Sequence, residues 1–158
     1  MASTRRALMM AGGVAGWMWL WPLRAQPLSG TGAAPAADPA WQAALMALTG
    51  GVRPRDGRVR LDIAPLVENG NAVPVTLGID SPMTAANHVR RLALLTERNP
   101  QPEVAVFHLS PACGRAQVGT RMRLATSQRI WALAELSDGS WWQQGVEVVV
   151  TLAACVEG

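Results

Sequence analysis

An all-β sandwich of about seven strands with a short N-terminal helix is the fold that the sequence predicts, on three observations. From Arg58 onward apolar residues recur with period two, the alternation of strands that bury one face. Turn chemistry separates the runs, as "ENGN", "DSP", "NPQP", "SPACG" and "SDGS". Hydrophobic residues make up 49% of the 158 residues and charged residues 16%, enough apolar material for one core and too little charge for a disordered chain.

Each element follows in order. Residues 1–25 read as an export signal: "TRRALM" supplies paired arginines, "AGGVAGWMWLWPL" an apolar stretch and "LRA" a small-residue cleavage site before Gln26. Arg5 and Arg6 suit the twin-arginine route, with Leu8 where Phe is usual, and an ordinary secretory signal is the alternative. The apolar stretch falls short of the roughly 20 residues that a span needs, so stable membrane insertion is not expected. The mature protein is expected in the periplasm. Residues 26–37 are rich in Pro, Gly and Ala and read as a flexible leader. A sandwich domain is expected over residues 38–152. It opens with a short helix, with Asp38 as N-cap, Pro39 at the first helical position and Gly50-Gly51 as the stop. Trp41, Leu45 and Leu48 share one face of it, a surface for docking onto the domain.

In "RVRLDI", Val59, Leu61 and Ile63 alternate with Arg58, Arg60 and Asp62, a half-buried strand. Further strands are expected at "AVPVTLGI", "HVRRLALLTE", "EVAVFHLS", "QVGTRMRLAT", "RIWALAEL" and "WWQQGVEVVVTL". Strands at this spacing point to the immunoglobulin-like class, without the Cys, Trp and Cys spacing of antibody domains. Residues 153–158 form a C-terminal tail that carries a cysteine. There is no internal repeat and no second domain.

Composition excludes several chemistries. All 14 basic residues are Arg, so Schiff-base chemistry, a lysine-activated serine and a phosphate-loop lysine are ruled out. Removal of residues 1–25 takes Arg5, Arg6 and Arg24 with it and leaves 11 Arg against 11 acids. The mature chain is neutral, and no basic stripe remains for nucleic acid. There is no Gly-rich phosphate loop, no Cys-x-x-Cys and no His-x-x-x-His, and the only imidazoles are His88 and His108, so no metal site and no cofactor are expected. His88, where a strand begins, reads as a hydrogen-bonded structural histidine.

Two cysteines remain. His108 and Cys113 lie close in "FHLSPACG" and are conceivable as a base and a thiol nucleophile, though no orienting acid is nearby. Cys113 and Cys155 are conceivable as a disulfide, as exported proteins often have. Such a bridge would close a loop of about 42 residues and contribute ~4 kcal/mol. Against it, Cys155 follows the strand-like "GVEVVVTLAA" and sits three residues from the end of the sequence, where a staple holds little.

The segments "ALTGG", "GRVRLDIAPLVENGNAVPVTLGIDSPM", "ERNPQPEVAVFHLSPACGRAQVGTRMRLATSQRIWALAELSDGSWW" and "VEVVVTLAAC" together resemble the sulfur-oxidation carrier family SoxY. The likeness runs over nearly the whole mature chain, and "ENGNAVPVT", "DSPM" and "AELSDGS" are its most specific parts. The resemblance implies an immunoglobulin-like sandwich that pairs with a SoxZ-like subunit and carries inorganic sulfur compounds such as thiosulfate on a cysteine near the C-terminus. That cysteine corresponds to Cys155. It also implies transient periplasmic enzyme partners, among them a c-type cytochrome that couples the substrate oxidatively, and a carrier that holds no metal and no haem.

The match departs from the family at the tail. The family's arm is Gly-Gly-Cys-Gly-Gly, whereas this chain has Ala153 and Ala154 before Cys155 and Val156, Glu157 and Gly158 after it. Alanine lacks the positive-φ conformations of glycine, so a stiffer arm is expected. A fully extended tail from Leu152 would give Cys155 a reach of about 10 Å. Cys113 stands where the family generally has a small residue, which leaves it a small turn residue packed as a hydrophobe or a disulfide partner for Cys155. Three functional readings stay open: a covalent sulfur carrier that is not itself an enzyme, a scaffold sandwich that has lost the arm's competence, and a small thiol enzyme using His108 and Cys113.

Overall fold

The computed structural model describes residues 39–154. The expected export signal, leader and Asp38 lie outside the described residues, as does Cys155 with the residues after it.

The first element, α1, spans Pro39–Thr49. Proline suits its first position because the N–H it lacks would have had no helical partner. The helix stops where Gly50 and Gly51 take φ of 63° and 82° and the Gly51 N–H returns to the Met46 carbonyl at 3.1 Å, a left-handed ending that glycine adopts without strain.

Nine strands follow: β1 Arg55–Asp56, β2 Val59–Asp62, β3 Leu66–Asn69, β4 Val73–Ile79, β5 Val89–Thr96, β6 Glu103–His108, β7 Gln117–Met122, β8 Gln128–Leu136 and β9 Trp141–Leu152. A 3-10 turn, Pro111–Cys113, lies between β6 and β7. The larger sheet has the order β1-β9-β8-β5-β6, with β3 also paired to β9, and the smaller sheet is β2-β4-β7. The seven expected strands are all present in this immunoglobulin-like sandwich. The two additional ones, β1 and β3, both run parallel to β9. Their short, mostly exposed sequences carry no alternation, and the partner that makes them strands lies some 80 residues along the chain, as in the pairing of Leu66 with Val149.

The sheets face each other across a core that includes Leu61, Val75, Leu77, Leu92, Leu94, Ile130 and Val148. In β2, Val59 and Leu61 are buried while Arg60 and Asp62 are exposed, and Ile63 just past the strand is buried too, as the alternation predicts. A second apolar layer covers the outer face of the larger sheet, where Trp41 and Leu48 of α1 meet Ala93, Leu95, Leu133 and Trp141, with Leu45 partly buried beside them. Trp41 stacks on Trp131 at 5.6 Å between ring centroids. Burial of Trp41 and Leu48 contributes roughly 1.5–3 kcal/mol each. Covered on both faces, the middles of β5 and β8, Leu92–Leu95 and Ile130–Ala134, read as unbroken apolar runs.

The β8–β9 hairpin turns through Asp138, whose Oδ1 accepts the Ser140 N–H at 2.8 Å. Hydrogen bonds from the Ser140 side chain and then its backbone hold the Asp138 carboxyl below its ordinary value. Whatever the turn gains from them is present above the ordinary carboxylate range and is lost as pH falls through the lowered value.

Candidate functional site

The distal end of β9 is held from several sides. The Val149 N–H donates to the Pro65 carbonyl at 2.8 Å, and Leu66, Val67 and Asn69 pair with Val149, Val150 and Leu152. Ser127 Oγ accepts the Val150 N–H at 2.9 Å, and Thr151 Oγ1 donates to the Glu68 carbonyl at 3.0 Å. These contacts fix the strand that precedes the tail.

Past the strand the backbone stays bonded. The Gly70 N–H donates to the Leu152 carbonyl at 2.8 Å, the Leu124 N–H to the Gly70 carbonyl at 2.8 Å, and the Ala154 N–H to the Leu124 carbonyl at 3.0 Å. Three chain segments, the "ENGN" turn, the residues after β7 and the tail, are thus stitched together. Asn69 Oδ1 accepts the Asn71 N–H at 2.9 Å and shapes the turn. A Cβ at Gly70 would stand 2.4 Å from the Leu124 oxygen and 2.9 Å from the Ala154 nitrogen, so only glycine fits this close approach. Leu124 is fully buried and Ala154 is 7% exposed.

Cys155 itself lies outside the described residues. It is the next residue in sequence after Ala154, whose N–H makes the last bond to the body among the described residues. Ala153 is exposed, whereas the Ala154 methyl packs into the body. Bonding of the chain to the body therefore continues past Leu152 to Ala154.

Cys113 is a free, exposed thiol at the end of the 3-10 turn. The turn places it at the surface, where the Cys113 N–H bonds the Ser110 carbonyl at 3.0 Å and Gly114 takes φ of 68°. This differs from the expectation that it packs as a hydrophobe: no residue of the turn is buried, and the Cys113 side chain is exposed. Access alone does not slow such a thiol. In a Cys155→Ser chain, N-ethylmaleimide should modify Cys113 about as fast in the native as in the unfolded protein; strong protection in the native state would show it shielded.

His108 ends β6 and Cys113 lies in the turn that follows, but among the described residues no hydrogen bond joins them and no acid orients the pair. His88 does have structural partners: its backbone N–H donates to Ser137 Oγ at 3.2 Å and its Nδ1 lies 3.2 Å from the Thr84 carbonyl. Among the described residues no group of three or more His, Cys, Asp or Glu is arranged to hold a metal ion, and no helix is long and apolar enough to cross a membrane.

Sequence reasoning from the tail missed Gly70 and Leu124. The signal was there, since "ENGN" was legible as a turn, but its distant partners were not.

A family model described as sulfur oxidation protein SoxY matches residues 45–155. Among solved structures, the sulfur carrier protein SoxY from Chlorobium limicola f thiosulfatophilum is similar at 25% identity and a TM-score of 0.60, over 70% of this chain and 96% of that one. A superoxide reductase (neelaredoxin) from Ignicoccus hospitalis aligns at 16% identity and a TM-score of 0.54, over 60% of this chain and 80% of its own. One from Nanoarchaeum equitans aligns at 10% identity and 0.50, over 61% and 99%. At such identities the two reductases share the fold alone. No curated protein sequence matches.

Proposed function

The chain belongs to the SoxY family of sulfur oxidation proteins, and on that premise we propose that it is a periplasmic covalent carrier of inorganic sulfur, with Cys155 as the attachment point. The observation that carries the reading is that the family match runs through Cys155 and ends there, immediately past a tail whose base is bonded to the body at Ala154. A thiolate is the nucleophile of sulfur chemistry. Coupling to thiosulfate forms one sulfur–sulfur bond: the thiol and the thiosulfate dianion give the S-thiosulfonate, one proton and two electrons, and the electrons pass to a c-type cytochrome partner. Later enzymes would hydrolyse sulfate from the adduct and oxidise the sulfur left on Cys155. The chain itself acts as a substrate carrier and not as an enzyme.

A SoxZ-like subunit completes the carrier in this reading. Leu66 and Val149, opposite each other on the β3–β9 pair, are 59% and 52% exposed, and Leu152 is 62% exposed. Apolar side chains grouped beside the arm suit a subunit contact better than open solvent. Co-expression with a SoxZ-like protein should give a heterodimer on size-exclusion chromatography, and persistent monomer beside a folded partner would refute the pairing. The carrier role is tested by intact-mass analysis of protein isolated from its own periplasm: sulfur-containing adducts that map to Cys155 are expected, and a uniformly unmodified chain during thiosulfate oxidation would favour the scaffold reading.

A further inference from the structure

A cleft of about 380 Å³ on the larger sheet is lined by His88, Arg90, Arg91, His108, Ser110 and Glu135. It is built by strand register. Arg91 on β5 lies opposite His108 on β6 and opposite Glu135 on β8, and residues directly opposite in a ladder share a face. Between Val89 and Arg91 the β5–β8 register shifts, Val89 pairing with Leu136 and Arg91 with Glu135. Arg90 is the extra residue of a bulge, a device that re-aims a side chain. Consecutive arginines thereby reach one carboxylate: Arg91 Nε donates to Glu135 Oε2 at 2.5 Å, and Arg90 Nη1 lies 3.8 Å from Glu135 Oε1.

Glu135 is nearly buried, its side chain 10% exposed, and it underpins the two guanidiniums. Arg91 is fixed further by stacking on Trp141, 4.9 Å from its ring centroid. One carboxylate offsets only one of two guanidinium charges, so the cleft stays positive. Arg91 uses only Nε in its bond to Glu135, and the His108 imidazole has no hydrogen-bond partner among the described residues. Preorganised, partly unfilled donors around a positive cleft suit a small multivalent anion.

We propose that this cleft binds a doubly charged tetrahedral oxyanion, of the sulfate and thiosulfate class, through Arg90, Arg91 and His108. Binding here is non-covalent and independent of Cys155, so it stands or falls apart from the carrier reading. The test uses the full chain with Cys155→Ser, titrated with sodium sulfate and separately with thiosulfate against sodium chloride at matched ionic strength. Binding is read from the side-chain NMR resonances of His108 and the arginines. Saturable, coincident shifts of His108 and Arg91 are expected with the oxyanions and not with chloride. Arg90→Gln and His108→Gln, both at exposed positions, should each weaken binding about tenfold, the worth of one charge-assisted hydrogen bond, with unchanged thermal midpoints in chloride. Shifts that merely follow ionic strength would overturn the proposal, as would saturation that neither variant weakens.

Discussion

Cys155→Ser should abolish thiosulfate-derived mass adducts while leaving the thermal midpoint where it was. Serine nearly preserves size and polarity but cannot form a sulfur–sulfur bond, so loading should vanish rather than weaken. Stability should hold because, among the described residues, the last backbone contact with the body is at Ala154, and substitutions away from core, caps and networks usually stay within about 0.5 kcal/mol. The exposed thiol of Cys113 makes the experiment discriminating, since it offers a second nucleophile to the same oxidant. Cys113→Ser should therefore load like the parent chain. Adducts that survive in Cys155→Ser and disappear in Cys113→Ser would move the carrying role to the turn after β6 and end the proposal for the tail.

Local pattern carried most of the fold. Val59 and Leu61 announce a strand because burial alternates with exposure along β2, and Pro39 with Gly50 brackets α1 because both ends obey backbone rules that a single residue enforces. What stayed hidden was non-local. Leu66–Asn69 has no alternation of its own and becomes a strand only by lying parallel to Val149–Leu152. The cleft was hidden in the same way: His108 was legible as a candidate base for Cys113, yet its neighbour across the ladder is Arg91, and the bulge that turns Arg90 toward Glu135 shows only in the register. Cys155 was legible from its position and from the family resemblance. The bonding that fixes its starting point joins residues 70, 124 and 154, which no window along the chain brings together.

That bonding gives the second large effect. Gly70→Ala should destabilise the protein by about 2–4 kcal/mol, combining an overpacked site, typically 1–3 kcal/mol, with weakened hydrogen bonds of roughly 1 kcal/mol each. The cause is backbone against backbone: the new methyl would meet the Leu124 oxygen at 2.4 Å and the Ala154 nitrogen at 2.9 Å, and neither can rotate away as a side chain would. A drop in Tm of the order of 10 °C is expected. Amide exchange should locate the damage, with the Ala154 N–H losing protection before the amides of β5 and β8. Asn71→Ala is the control, because it touches the same turn but removes only an exposed side-chain bond to Asn69, and it should leave both readouts near the parent values. In the carrier reading Gly70→Ala also changes function without touching Cys155. Enzymatic loading should fall because the base of the arm no longer presents one geometry, while alkylation of Cys155 by a small reagent should proceed at the parent rate. Unchanged stability together with an Ala154 amide that exchanges freely already in the parent chain would show that the tail is not stitched to Leu124 and that the arm starts at the end of β9 instead.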